Sequence, residues 1–423
     1  MNFYIIPIKN LHQNILNFLI SIQKNFDSLF GKYYLLLIFF TILFCLFNYG
    51  IDTYNHSISW HRWRVADWLV NYSGGFVRRG LSGEIIIFIN YFTKIPLNII
   101  VGIIQFIVFS GICILFYNLI KDKIINFWFL ILCISPSFLL FNVYDQEVVG
   151  RKEILLIFIF ICWFIFCKNK KDKKYFYEFL YAILIFVLTM IHEIFIFYIQ
   201  YFIFVYYIYS KKNNFNWIPS LILYFSSILA STLIIFFGGN LNDPEICDRI
   251  LEFTSTLAVC DGVIRPDQLF LLGKDKWLNA INFIYSFSYK DFIALIFLYL
   301  LILSPLYVFL KSIKLNNKKI IFIIFSFFIF ISMTLPLFIL IIDWGRIIYI
   351  HTVLTTITVI IYLEKNNGFM KENRGLYKIN FKFLFFGILI IFLWSLSWSL
   401  NHCCSRWYLN LLGPSKILYS SII

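Results

Sequence analysis

The chain has 423 residues, of which 61% are hydrophobic and 14% charged. So few charges cannot cover a soluble domain of this length, and the apolar residues fall in runs of roughly 17–25, the length that crosses a bilayer core. In a soluble protein the formal net charge of +14 would point to nucleic acid. In a membrane chain the cytoplasmic excess of Lys and Arg accounts for much of it, which leaves membrane lipids, and no nucleic acid, as partners.

Residues 1–32 lack a cleavable-signal pattern and read as a cytoplasmic tail. Residues 33–423 read as a single polytopic membrane domain of the all-α class. Its apolar runs place about eleven transmembrane helices at 33–50, 96–120, 126–143, 154–167, 178–191, 194–210, 217–238, 291–310, 320–342, 347–363 and 383–400. The N-terminus then lies inside and the C-terminus outside. Residues 178–210 could form one long tilted helix, but basic residues at both ends favour a hairpin with His192 and Glu193 at its outer tip.

This topology sorts the basic residues by type. Of 26 Lys, 20 fall inside and six outside, one of them Lys152; of ten Arg, only Arg374 falls inside. Lysine suffices as a topology anchor, whereas the guanidinium fork matches phosphate and carboxylate oxygens. The outer arginines therefore point to an anion held outside, or to pairing with the outer acids.

The first outer loop, 51–95, begins with Asp52 and continues through Trp60, Trp63 and Trp68 among charged residues, the pattern of an interfacial amphipathic helix that also carries Asp67. Gly74, Gly75 and Gly80 bracket Arg78 and Arg79, so that the backbone can turn tightly and paired arginines can grip a phosphate; snorkelling arginines on an interfacial helix are the alternative. In the loop 144–153, Asp145 and Glu147 stand two apart before Gly150 and Arg151. That spacing suits a divalent cation such as Mg or Mn, a sugar's hydroxyls, or a solvated turn. His192 and Glu193 sit between apolar runs, where ionisable groups line a cavity or pair with each other. The loop 239–290 holds Cys247 and Cys260, which an oxidising compartment would allow to bridge. Asp343, Trp344, Gly345 and Arg346 form a turn in which an aromatic face could stack on a sugar while Arg346 meets its phosphate; an interfacial Trp beside an Asp–Arg pair is the alternative reading.

Together these features resemble the GT-C superfamily of membrane glycosyltransferases. Asp52 stands where that superfamily carries an acid soon after its first span, and Asp145-Gln146-Glu147 is a D-x-E version of its acidic pair. GGFVRRGL, the His192-Glu193 pair and the DWGR turn are similar to membrane proteins of bacterial surface-polysaccharide clusters, including O-antigen polymerase-like proteins. The resemblance implies transfer of a sugar or oligosaccharide from a polyprenyl-phosphate-linked donor to a glycan or lipid-linked acceptor, at the outer face of the cytoplasmic membrane. On this reading Asp52 or Asp67 acts as general base. Arg78, Arg79, Arg151, Arg346 and Trp344 hold the donor, and Asp145, Glu147, His192, Glu193 and Asp343 orient the acceptor or a divalent cation. A repeat-unit polymerase is the nearest alternative, and a lipid-linked glycan flippase or other transporter is the reading from a different class.

Overall fold

The computed structural model describes residues 62–120, 127–138, 140–145, 148, 150–169, 176–210, 217–238, 245–253, 289–313, 316–340 and 343–366, with short pieces between 386 and 410. The described chain is helical, apart from a two-residue antiparallel pairing of Ser399–Leu400 with Leu409–Asn410. The helices are α1 Arg62–Leu69, α2 Gly80–Thr93, α3 Leu97–Ile120, α4 Phe127–Cys133, α5 Phe141–Tyr144, α6 Glu153–Asn169 and α7 Phe176–Ile191. A 3-10 segment, Glu193–Tyr198, leads into α8 Ile199–Tyr209; then follow α9 Trp217–Phe237, α10 Glu245–Leu251, α11 Tyr289–Ser312, α12 Asn317–Leu340 and α13 Trp344–Lys365. Four of these, α3, α9, α12 and α13, are long and apolar enough to cross a membrane. Large apolar side chains such as Phe88 and Phe92 on α2, Phe225 and Phe236 on α9, and Phe325 and Phe328 on α12 are exposed, as on a surface that meets lipid rather than water.

Several expected elements take a different form. The run 126–143 is not one span, because α4 ends at Cys133 and the chain turns before the single helical turn of α5. Pro136 removes a backbone donor and disfavours helical geometry at Ser135, while Ser135 and Ser137 satisfy each other through their hydroxyls at 2.8 Å. The second half of the expected first loop is the apolar helix α2, which packs so closely on α1 that a Cβ at Gly83 would lie 2.2 Å from the Val70 carbonyl oxygen. α1 itself is not an amphipathic helix lying at the surface: Arg64, Val65, Ala66, Asp67, Trp68 and Leu69 are all buried. Residues 178–210 divide at His192, whose backbone is extended (φ −154°), giving α7 and α8 with the 3-10 turn between them. Asp343 lies in the short link between α12 and α13 and accepts the first helical N–H bonds at its carbonyl, while Trp344, Gly345 and Arg346 already belong to α13. The expected span 33–50 lies outside the described residues, and 383–400 is described only in pieces.

α13 is the central helix, buried along almost its whole length although it carries Thr352, Thr355, Thr356 and Thr358. Three of these hydroxyls are satisfied within the helix: those of Thr352, Thr356 and Thr358 donate to the carbonyls of Ile348, Thr352 and Leu354 at 2.7–2.8 Å. Between helices, Tyr201 Oη bonds His351 Nδ1 at 2.8 Å and Thr355 Oγ1 at 2.9 Å, and Thr334 Oγ1 bonds His351 Nε2. His351, with both ring nitrogens engaged, thereby joins α8, α12 and α13. α6 and α13 run in the same direction, held by an ion pair at each end: Glu153 with Arg346, and Lys168 with Glu364. The second pair marks a lysine-rich end of the fold and the first an arginine-rich end.

Candidate functional site

Five separate pieces of chain meet at the arginine-rich end: α1, the turn before α2, the turn before α6, the break after α7, and the start of α13. Arg79 is the hub. Its Nη1 donates to Asp67 Oδ1 at 2.9 Å, while Nη2 and Nε grip both oxygens of Glu193 at 3.0 and 3.1 Å. Arg78 Nη1 reaches the same Glu193 Oε1 at 3.0 Å. His192 lies between two carboxylates, with Nδ1 3.5 Å from Glu193 Oε2 and Nε2 3.5 Å from Glu153 Oε1. Glu153 continues the chain to Arg346 at 2.5 Å; Arg346 reaches Asp343 at 2.7 Å, and Asp343 reaches Arg151 at 3.4 Å. One unbroken network thus joins residues up to 279 positions apart in sequence (Asp67 to Arg346).

Local backbone geometry makes this convergence possible. Arg79 adopts a left-handed conformation (φ 67°), uncommon for a side chain with a Cβ, as the residue just before α2. Its carbonyl oxygen accepts hydrogen bonds from Lys152 Nζ at 3.2 Å and Ser82 Oγ at 3.2 Å, which hold that turn. Lys152 Nζ also donates to the Ile191 carbonyl at 3.3 Å, so one ammonium ties the α2 turn to the end of α7. Gly150 (φ 71°) turns the chain into Arg151; its carbonyl accepts the Trp68 indole N–H at 2.9 Å, and a Cβ there would lie 2.7 Å from the Gln105 side chain.

The network lies about one bilayer core away from the lysine-rich end. Fifteen residues of α6 separate Glu153 from Lys168 and 18 of α13 separate Arg346 from Glu364. At about 1.5 Å per residue this is roughly 22–27 Å, slightly less than the ~30 Å of a bilayer's hydrocarbon core. Burial works against charging each group, and the neighbours decide the outcome. For Asp67 the charges of Lys152 and Arg79 outweigh burial and hold the carboxyl well below the usual range. For Arg79 the carboxylates of Glu193 and Asp67 more than offset burial, and its pKa is raised. For Arg78, Arg151 and Lys152 burial wins, and Arg78 and Lys152 are pulled down to about 10 and about 8. Among the described residues the network sets five cations (Arg78, Arg79, Arg151, Lys152 and Arg346) against four carboxylates (Asp67, Glu153, Glu193 and Asp343). The Nε–H groups of Arg78 and Arg346 are buried without an acceptor among the described residues.

Comparison of the chain with protein-family models, curated proteins and solved structures finds no match. The site therefore rests on its own geometry.

Of the residues singled out in the sequence, Asp67, Arg78, Arg79, Arg151, His192, Glu193, Asp343 and Arg346 come together. Trp344 does not serve as a sugar platform. It is fully buried, donates its indole N–H to the Phe338 carbonyl at 2.9 Å and packs edge-on against the Phe338 ring. Asp145 lies just after α5, with its backbone N–H bonded to the Phe141 carbonyl. Asp52, Glu147 and Cys260 lie outside the described residues, and Cys247 is disulfide-bonded. Among the described residues no three His, Cys, Asp or Glu side chains converge as a cation site, and the network carboxylates face arginines instead.

Lys152 and Glu153 were missed. The signal was present in the sequence, since the expected topology leaves only six lysines outside and Lys152 is one of them, directly beside Arg151.

Proposed function

We propose that the protein is a membrane glycosyltransferase that moves a sugar or oligosaccharide from a polyprenyl-phosphate-linked donor to a glycan or lipid-linked acceptor. The observation that carries this reading is a buried network in which, among the described residues, the Nε–H groups of Arg78 and Arg346 have no acceptor. By the positive-inside rule the lysine-rich end is cytoplasmic, which puts the network toward the outer face of a bacterial cytoplasmic membrane in a chain of about eleven spans. Arg78 and Arg346 would meet the phosphate oxygens. As the acceptor hydroxyl oxygen bonds to the anomeric carbon, the bond from that carbon to the phosphate oxygen breaks, and the guanidinium groups balance the charge left on the phosphate.

The proton of the acceptor hydroxyl needs a base. Asp67, buried with Arg79 against it, is stabilised as carboxylate and is a weak proton acceptor. His192 is better suited, because Glu153 and Glu193 on either side would balance the charge of an imidazolium formed there. Asp343 and Arg151 would orient the substrates at the rim. A transport route gains less support. Toward the lysine-rich end the hydroxyls around His351 satisfy one another, and Phe204, Ile323, Phe327 and Phe330 line the small cavity below them.

The test is mass spectrometry of lipid-linked glycans in a deletion strain complemented with native, Arg78→Ala, Arg346→Lys or His192→Ala chains. Loss of function leaves a shortened or unpolymerised lipid-linked glycan in the deletion strain and all three variants, with the variants present in the membrane at native level. An unchanged glycan profile in the deletion strain would rule the reading out.

A further inference from the structure

Two tyrosines stand between the arginine network and the cluster around His351. Tyr198 ends the 3-10 segment that begins at Glu193, and Tyr299 lies on α11. Tyr198 is fully buried, with its ring centroid 5.4 Å from that of His351 and 6.4 Å from that of Tyr201. The Tyr299 ring lies 6.1 Å from that of Phe338, which in turn packs against Trp344, two residues before Arg346. The hydroxyls of both tyrosines are buried, and neither has a hydrogen-bond partner among the described residues. They are near enough to interact electrostatically with each other, and Tyr198 does so with Glu153 and Arg346 as well. Tyr201 shows the contrast: it is equally buried, but its hydroxyl is bonded to both His351 and Thr355.

Leaving a buried hydroxyl unbonded destabilises a fold, so two such groups side by side point to a ligand that completes them. The phenols are neutral, and each can both donate and accept. With Glu153 as well as Arg346 close by, they suit a hydroxyl better than an anion, because a hydroxyl can donate to the carboxylate and accept from the guanidinium. We propose that Tyr198 and Tyr299 bind hydroxyl groups of the transferred sugar, next to the phosphate oxygens at Arg346. The assignment rests on the transferase reading and adds to it the residues that distinguish one sugar from another. In a glycosyl phosphate the first ring hydroxyl sits on the carbon beside the anomeric one. The groups that meet the hydroxyls and the guanidinium that meets the phosphate must therefore be neighbours.

Tyr198→Phe and Tyr299→Phe keep the rings and remove only the hydroxyls. Two measurements decide. One is the melting temperature of each full-length variant in micelles. The other is the rate at which newly induced chain, in the deletion strain, consumes the lipid-linked glycan that accumulates there, followed by mass spectrometry. Each variant should melt no lower than the native chain and consume the glycan about five- to tenfold more slowly, the effect of one hydrogen bond. Tyr201→Phe, which breaks two bonds, should melt lower. Consumption at the native rate by either variant would overturn the assignment of that tyrosine. So would a melting temperature that falls as it does for Tyr201→Phe, because the hydroxyl would then have a partner within the fold, such as a buried water. If the deletion strain accumulates no glycan, the transferase reading falls and the sugar site with it; if it does accumulate one and both variants work at the native rate, only the sugar site falls.

Discussion

Replacing Arg79 with Met tests whether the network is built as described. The change keeps most of the side-chain stem but deletes the contacts at 2.9 Å to Asp67 and at 3.0 and 3.1 Å to Glu193. Arg78 still reaches Glu193, so Asp67 loses most. Removing one partner of a buried ion pair typically costs about 3–5 kcal/mol, because the remaining charge stays desolvated. Asp67→Asn should cost less, about 1.5–3 kcal/mol for one charge-assisted hydrogen bond, because Arg79 keeps Glu193. The double variant should be clearly less unstable than the sum of the two, since it strands no carboxylate at position 67. Reversible unfolding in mixed micelles, followed by tryptophan fluorescence, measures all four corners of this cycle. If Arg79→Met lies within about 0.5 kcal/mol of the native chain, or the two changes simply add, the buried network is not as drawn.

Further outcomes follow from other parts of the structure. Because burial lowers the Lys152 pKa from 10.5 to about 8, the unfolded chain binds more protons between those values, so this residue makes stability rise with pH from about 8 to about 10.5. Lys152→Met should flatten that rise relative to the native chain in denaturation curves taken at several pH values, and parallel curves would contradict it. Asp67 has the opposite window: its depressed pKa contributes stability that is complete above the ordinary carboxylate range and lost as pH falls below it, so Asp67→Asn should lessen the acid sensitivity seen by thermal unfolding. Gly150→Ala, at φ 71° and against Gln105, should destabilise by at least about 1 kcal/mol, and pairing it with Gln105→Ala should relieve only the steric part. Thr334→Val keeps the shape but leaves His351 Nε2 buried without its hydroxyl partner; a loss of about 1–3 kcal/mol in the same unfolding assay is expected.

Composition alone marked an all-helical, lipid-facing chain, because an apolar run has the same meaning wherever its neighbours fold. Positions 97–120 and 217–237, whose continuous runs carry no proline after the first turn, read directly as the helices α3 and α9. Proline is not decisive by itself, since the runs 291–310 and 320–342 form α11 and α12 around Pro305 and Pro336. The sequence Ser135-Pro136-Ser137 divides what hydropathy reads as one span, and the glycine-bracketed arginines conceal the helix that follows them. Charge type also carried information along the chain: among the described residues Arg78, Arg79, Arg151 and Arg346 meet at one end, so these members of the network stand out by residue type alone. Tertiary structure alone decided which acid each arginine meets, and it turned Trp344 from a binding platform into core. It also brought Lys152 into the network through two backbone carbonyls that no side-chain pattern reveals. The physical reason is range. Hydropathy acts residue by residue over one helix, whereas an ion pair between Glu153 and Arg346 exists only once the chain between them has packed.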